Sequence, residues 1–147
     1  MEATTTLHGF RSWADIHNDL SKDVPQRLIK TRKQAGQTLS YIEWTTAVKL
    51  LDFYAPGWSG EVTHIVQSEG MIVISYRITI PTSDGPVSRS ATGAEFTTHV
   101  DKSVYAENRA MYPTRFTSYG EPATIAEAQA FKRAAAKLGI GLHLYTD

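Results

Sequence analysis

The sequence predicts an α+β domain with its elements in the order α-α-β-β-β-loop-α. Three observations carry that expectation. Apolar side chains recur at helical spacing in two stretches before residue 55. Between residues 71 and 80 the pattern changes: Ile72, Ile74, Tyr76, Ile78 and Ile80 alternate with Val73, Ser75, Arg77 and Thr79, the period of a strand with one buried face. The helical period then returns near the end of the chain, where Ala128, Phe131, Ala135 and Leu138 form one apolar stripe. All 147 residues are expected to form a single domain, long enough for a core of its own.

Residues 1–10 read as a loose polar lead-in. Ser12 is placed to cap a short helix that carries Trp13, Ile16 and Leu20 on one face. Pro25 interrupts it, and a basic run follows: Lys22, Arg27, Lys30, Arg32 and Lys33, opposed only by Asp23. Ala35-Gly36-Gln37 reads as a flexible turn closing that run. A second helix is expected over about 43–54, with Val48 and Leu51 on its apolar face and Pro56-Gly57 as its stop. Three strands come next, at about 61–67, 71–80 and 87–98. Glu69-Gly70 joins the first two, and the Asp84-Gly85 hairpin signal joins the last two. The result is an antiparallel meander with one face open to a covering helix. Residues 99–119 read as an irregular insertion that interleaves Tyr105, Arg109, Tyr112, Arg115, Phe116 and Tyr119, a pattern suited to a subunit interface or to stacking bases. Glu121-Pro122 opens the last helix, with proline suited to its first turn.

Composition removes several functional classes. The chain has no cysteine, which excludes disulfides, zinc–thiolate sites and thiol catalysis. Its five histidines are scattered without HxxxH or HxH spacing, so no metal site and no cofactor is expected. There is no nucleophile elbow, phosphate loop or telling carboxylate pair, and the expectation is a protein that is not an enzyme. The N-terminal residues do not read as a signal peptide, and no segment reads as membrane-spanning, so a soluble, cytoplasmic protein is expected. Formal net charge is zero, with 15 Lys+Arg against 15 Asp+Glu. A polyanion partner would therefore have to be met by local clustering of cations, or by a modest site repeated in an oligomer. The last helix offers such a cluster: Lys132, Arg133 and Lys137 fall away from the apolar stripe. The same three residues are also what an ordinary solvated helix face looks like.

Three separated pieces together resemble one family. The first runs from Pro25 to Ile29 and Arg32, then Gly36-Gln37, Tyr41-Ile42-Glu43 and Gly57-Trp58. The second is the three-strand meander, with Arg77 before the Asp84-Gly85 turn. The third is Ala130-Phe131-Lys132-Arg133-Ala134 followed by Gly139. In this order they resemble the Rad fifty-two family of single-strand annealing proteins, with its prokaryotic and phage relatives in the Sak and DdrA groups. The resemblance spans roughly residues 25–145. It implies a β-β-β-α core that assembles side by side into a ring, with a positively charged groove that holds single-stranded DNA for pairing with a complement.

Carried over by position, the resemblance implies DNA-binding roles for Lys132 and Arg133 on the last helix and for Arg32 upstream of the Gly-Gln turn. Lys33, Lys137 and Arg77 are further candidates. Tyr41 matches the aromatic that leads into the following helix, where helix packing is the more ordinary use. Ala136 stands where the family often has another arginine, next to Lys137. Met71 stands where some members carry a lysine associated with an outer DNA site. The long C-terminal tail that recruits a recombinase in eukaryotic members is not present in these residues. The function implied is ATP-independent annealing of complementary strands in recombination and repair in a bacterium, phage or plasmid, by an oligomeric ring associated with the nucleoid when bound to DNA. A single-strand-binding protein or a recombinase is the candidate protein partner. The alternative is a module that protects DNA ends or recruits a partner without annealing.

Overall fold

The computed structural model describes residues 9–97 and 121–145. Most of the expected lead-in, the whole 99–119 insertion with its tyrosines and arginines, and Thr98 lie outside the described residues. The order found is α1 (Trp13–Leu20), β1 (Lys30–Gln34), β2 (Gln37–Tyr41), α2 (Trp44–Tyr54), β3 (Ser59–Ser68), β4 (Met71–Ile80), β5 (Val87–Phe96) and α3 (Pro122–Lys137), with short 3-10 turns at Gln26–Leu28 and Leu142–Tyr145. Both early helices, the three-stranded meander and the last helix stand as the periodicity predicts. Ser12 caps α1 by accepting from Asp15 N at 3.2 Å, and Pro122 sits in the first turn of α3.

The three strands form an antiparallel sheet in the order β3-β4-β5. Ile72, Ile74, Ile78 and Ile80 of β4 are all buried, on the face that α3 covers. The ladder also explains the strand limits. Ser59 pairs with Thr79 and Ser68 with Met71, so β3 is longer at both ends than expected. Phe96 pairs with Met71, the first residue of β4, so β5 stops there for want of a partner strand. At the Glu69-Gly70 turn both residues have positive φ (48° and 82°), which matches the right-handed twist of the flanking strands.

Helix α3 lies unusually close to β5. The small residues Ala126, Ala130 and Ala134 are fully buried along it, and the first two meet Gly93, where a Cβ would run into Ala126 O and come within 2.6 Å of Ala130 N. On the other flank of this contact Phe131 packs edge-on against Tyr76, with ring centroids 5.4 Å apart. The main core then joins Ile16 and Leu20 of α1, Leu51 of α2, Ile78 and Ile80 of β4, and Phe131, Ala135 and Leu138 of α3. Of the stripe read in the sequence, Phe131, Ala135 and Leu138 are buried, and Ala128 is half-buried. The C-terminus of α3 closes in a Schellman turn: Gly139 N donates to Ala136 O and Ile140 N to Ala135 O. Gly139 takes φ 114° there and abuts Ser21 at the end of α1.

Among the described residues the basic run differs from expectation, because it is part of a regular element and not only a run closed by a flexible turn. Lys30–Gln34 and Gln37–Tyr41 pair as an antiparallel hairpin, with Arg32 opposite Leu39 and Lys30 opposite Tyr41. Only Gln34 and Tyr41 of its ten strand residues are even half-buried. Polar side chains on both faces hide the alternation that reveals a strand. The turn is Ala35-Gly36, with φ 52° and 79°. Alanine in the left-handed region costs about 1–2 kcal/mol. Ala35→Gly should therefore stabilise the protein by about 0.5–1 kcal/mol, read as a higher urea midpoint at unchanged slope.

Candidate nucleic-acid interface

Three elements converge on one hollow of about 310 Å³. The hairpin supplies Arg32, Leu39 and Tyr41, α3 supplies Gln129, Lys132 and Arg133, and the final turn supplies Leu144 and Tyr145. The Schellman turn at Gly139 folds that last segment back over α3, and His143 Nδ1 lies 3.7 Å from Asp23 Oδ1 beyond the end of α1. Arg32, Lys132 and Arg133 line the hollow together, and no Asp or Glu lines it among the described residues. Among the described residues none of the three is ion-paired with a carboxylate, whereas Arg11, Lys22 and Arg77 are. A protein of zero formal net charge has thus gathered three cations in one concave place that no carboxylate lines among the described residues.

Tyr41 organises two of these cations. The Arg32 guanidinium carbon lies 5.2 Å from the Tyr41 ring centroid, and Lys132 Nζ lies 5.3 Å from it. Lys132 Nζ also donates to Ile42 O at 3.2 Å. The sequence places Lys132 away from the apolar stripe of α3, and so in water. The strand-to-helix junction at Tyr41-Ile42 covers it instead and leaves it half-buried. Burial, and then the nearby Arg32, hold its ammonium below the usual lysine range, with Glu43 opposing in part. Folding therefore disfavours its charged form. The consequent destabilisation is present below the lowered folded-state value and disappears as pH rises toward the ordinary lysine value. A phosphate nearby would favour the charged form. In lysine-resolved NMR, Lys132 should titrate below the free-lysine range and move up on addition of single-stranded DNA.

The remaining candidates are placed differently. Arg133 Nη1 donates to Thr92 O at 3.1 Å, Lys137 Nζ to Ser90 O at 2.6 Å, and Gln129 Oε1 accepts from Ala94 N at 3.2 Å. Side chains four residues apart on α3 thus meet alternate residues of β5, capping polar groups of a strand at the sheet's edge. Arg133 still faces the hollow, but Lys137 does not line it. Ala136, where the resemblance leads one to expect another arginine, is buried. Lys33 is on the opposite face of the hairpin from Arg32. Arg77 alternates with buried Ile78, so it lies on the sheet face away from α3, where it is paired with Glu61 at 2.7 Å. Leu39, Leu144 and Tyr145 went unread in the sequence. The aromatic and leucines of Leu142-His143-Leu144-Tyr145, coming just after a helix-ending glycine, are the only local hint of them.

Fold and site together define a protein with a meander sheet, a close-packed helix and a cationic hollow between helix and hairpin. A family model for Rad52/22 double-strand break repair proteins matches residues 12–147, and the chain belongs to that family. Among its relatives in Arabidopsis thaliana is DNA repair RAD52-like protein 1, mitochondrial, 36% identical over 139 residues, covering 93% of this chain and 69% of the relative. DNA repair RAD52-like protein 2, chloroplastic, is also 36% identical, over 143 residues, covering 93% of this chain and 62% of the relative. Membership places the chain in DNA recombination and repair. No helix among the described residues is long and apolar enough to cross a membrane.

Proposed function

We propose that the protein binds single-stranded DNA along Arg32, Lys132 and Arg133 and anneals complementary strands without ATP, as an oligomeric ring. The observation that carries this reading is the convergence of three cations from distant parts of the sequence on a hollow lined by no carboxylate among the described residues. Phosphates supply sequence-independent affinity, and annealing needs cations along a track with no bond making and no base-edge readers. One protomer offers few phosphate contacts, and repetition around a ring multiplies them.

The exposed surface is consistent with assembly. Strand β3 lies at the sheet's other edge, and its Ile65 and Val66 are exposed, as are Phe53 and Trp44 of α2. An apolar, unpaired strand edge favours contact with another chain.

The test mixes pure protein with two complementary fluorescent oligonucleotides, without ATP, at low and moderate salt. Pairing should be faster with protein and slow again as salt rises. Binding without faster pairing would replace annealing by end protection or recruitment. Absence of salt-sensitive binding would remove the DNA-binding reading altogether.

A further inference from the structure

We propose that the hollow between hairpin and α3 takes a nucleobase, stacked on Tyr145, as well as the phosphates its cations attract. This rests on the DNA-binding reading above and adds a second kind of contact to the same site.

A phosphate would leave part of this hollow unused. Arg32, Lys132 and Arg133 meet an anion, but Leu39 and Leu144 line the same space and offer a phosphate nothing, and the ring of Tyr145 offers it only the hydroxyl at its tip. At about 310 Å³ the hollow reaches the size at which small-molecule sites begin, roughly 300 Å³. Apolar walls beside convergent charge suit a ligand with a flat apolar face and an adjoining anion, which describes a nucleotide.

Two aromatic rings are present, and they differ in availability. Tyr41 already has a guanidinium and an ammonium close to its ring. Tyr145 is 57% exposed, and no other ring, no cation–π contact and no side-chain hydrogen bond occupies its ring among the described residues. A large aromatic side chain left in water at the rim of a cationic hollow is covered only when something flat lies on it. The hydroxyl end is the sheltered part of this otherwise exposed side chain: burial there pushes the hydroxyl above the usual tyrosine value, and Arg133 and Arg32 oppose that electrostatically. A base on Tyr145 would therefore have its backbone phosphates within the reach of these cations. Grooves for single strands combine just these two components, a basic track and an aromatic platform. Stacking occupies the base's face and leaves its pairing edge free, so it is compatible with a search for a complement.

The decisive comparison is between an oligothymidine and an abasic phosphodiester strand of the same length. The wild-type protein should bind the oligothymidine about 5- to 100-fold more tightly. Tyr145→Ala should abolish that preference while keeping the dependence on salt, and Tyr145→Trp should retain it. Equal wild-type affinity for both strands, with the salt dependence intact, would overturn the stacking proposal alone. So would a preference that survives in Tyr145→Ala. Absence of salt-sensitive binding to either strand would overturn the DNA reading on which it rests. The wild-type comparison needs no variant, so it decides the question even if Tyr145→Ala folds poorly.

Discussion

Gly93→Ala should destabilise the protein by about 2–4 kcal/mol, because the added methyl has no room: it meets two backbone atoms of α3 and the Cβ of Gln129, which is fixed to that backbone. The Cβ would run into Ala126 O and approach Ala130 N to 2.6 Å. Backbone cannot rotate away as a side-chain end can, so α3 would have to lift from β5. That movement separates Ala126, Ala130 and Ala134 from the sheet and opens the tightest packing in the core. It also shifts Lys132 and Arg133, which ride on the same helix, so weaker DNA binding should accompany the lower urea midpoint. Gly9→Ala is the matched control, since a Cβ there meets nothing within 4 Å; it should be close to neutral. A Gly93→Ala protein as stable as the wild type would mean that helix and strand do not approach this closely.

Replacing Arg32 and Arg133 together by alanine should cost the protein most of its affinity for single-stranded DNA and little of its stability. Both guanidiniums line the hollow and neither is paired with a carboxylate among the described residues. Each single-strand phosphate that a variant no longer neutralises should reduce the slope of log affinity against log salt by about 0.7, so the pair should reduce it by about 1.4. Charge-assisted hydrogen bonds of about 1.5–3 kcal/mol each imply a weakening of at least roughly tenfold per residue. Folding should survive, because Arg32 is on an exposed strand and Arg133 contributes one hydrogen bond at the sheet's edge. Arg32→Lys keeps the charge but not the planar fork, and should keep most of the slope. Lys33→Ala and Arg77→Ala then reveal whether cations outside the hollow also meet phosphates: with the hollow as the whole site, neither changes the slope. An Arg32/Arg133 double variant that binds like the wild type would sink the assigned interface.

Lys132 is a different kind of cation from these two. Its ammonium is hydrogen-bonded to Ile42 O and held against Tyr41, so it ties α3 to the start of α2 as well as contributing charge. Removing it would mix a structural effect with an electrostatic one. For that reason the arginine pair gives the cleaner measurement.

Each element with a buried face is legible in the order of residues. The alternation of β4, the stripe of α3 and the capping of α1 are local consequences of one side facing a core and the other facing water, and periodicity records that directly. The motif order identified the family, and Lys132, Arg133 and Arg32 were legible as a set. The hairpin was not, because polar residues on both of its faces leave no period to read, and Ala35-Gly36 is a weak turn signal. Which cations share a place depends on how the packed elements meet. Lys137 is close to Lys132 along α3 yet reaches the edge of β5, and Arg77 is on the wrong face of the sheet. Arg32, far from Lys132 in the sequence, meets it across one tyrosine ring. Tyr145 enters the site because a glycine at φ 114° turns the chain back over α3. Convergence of this kind depends on how packed elements are set against one another, and spacing along a chain carries no record of it.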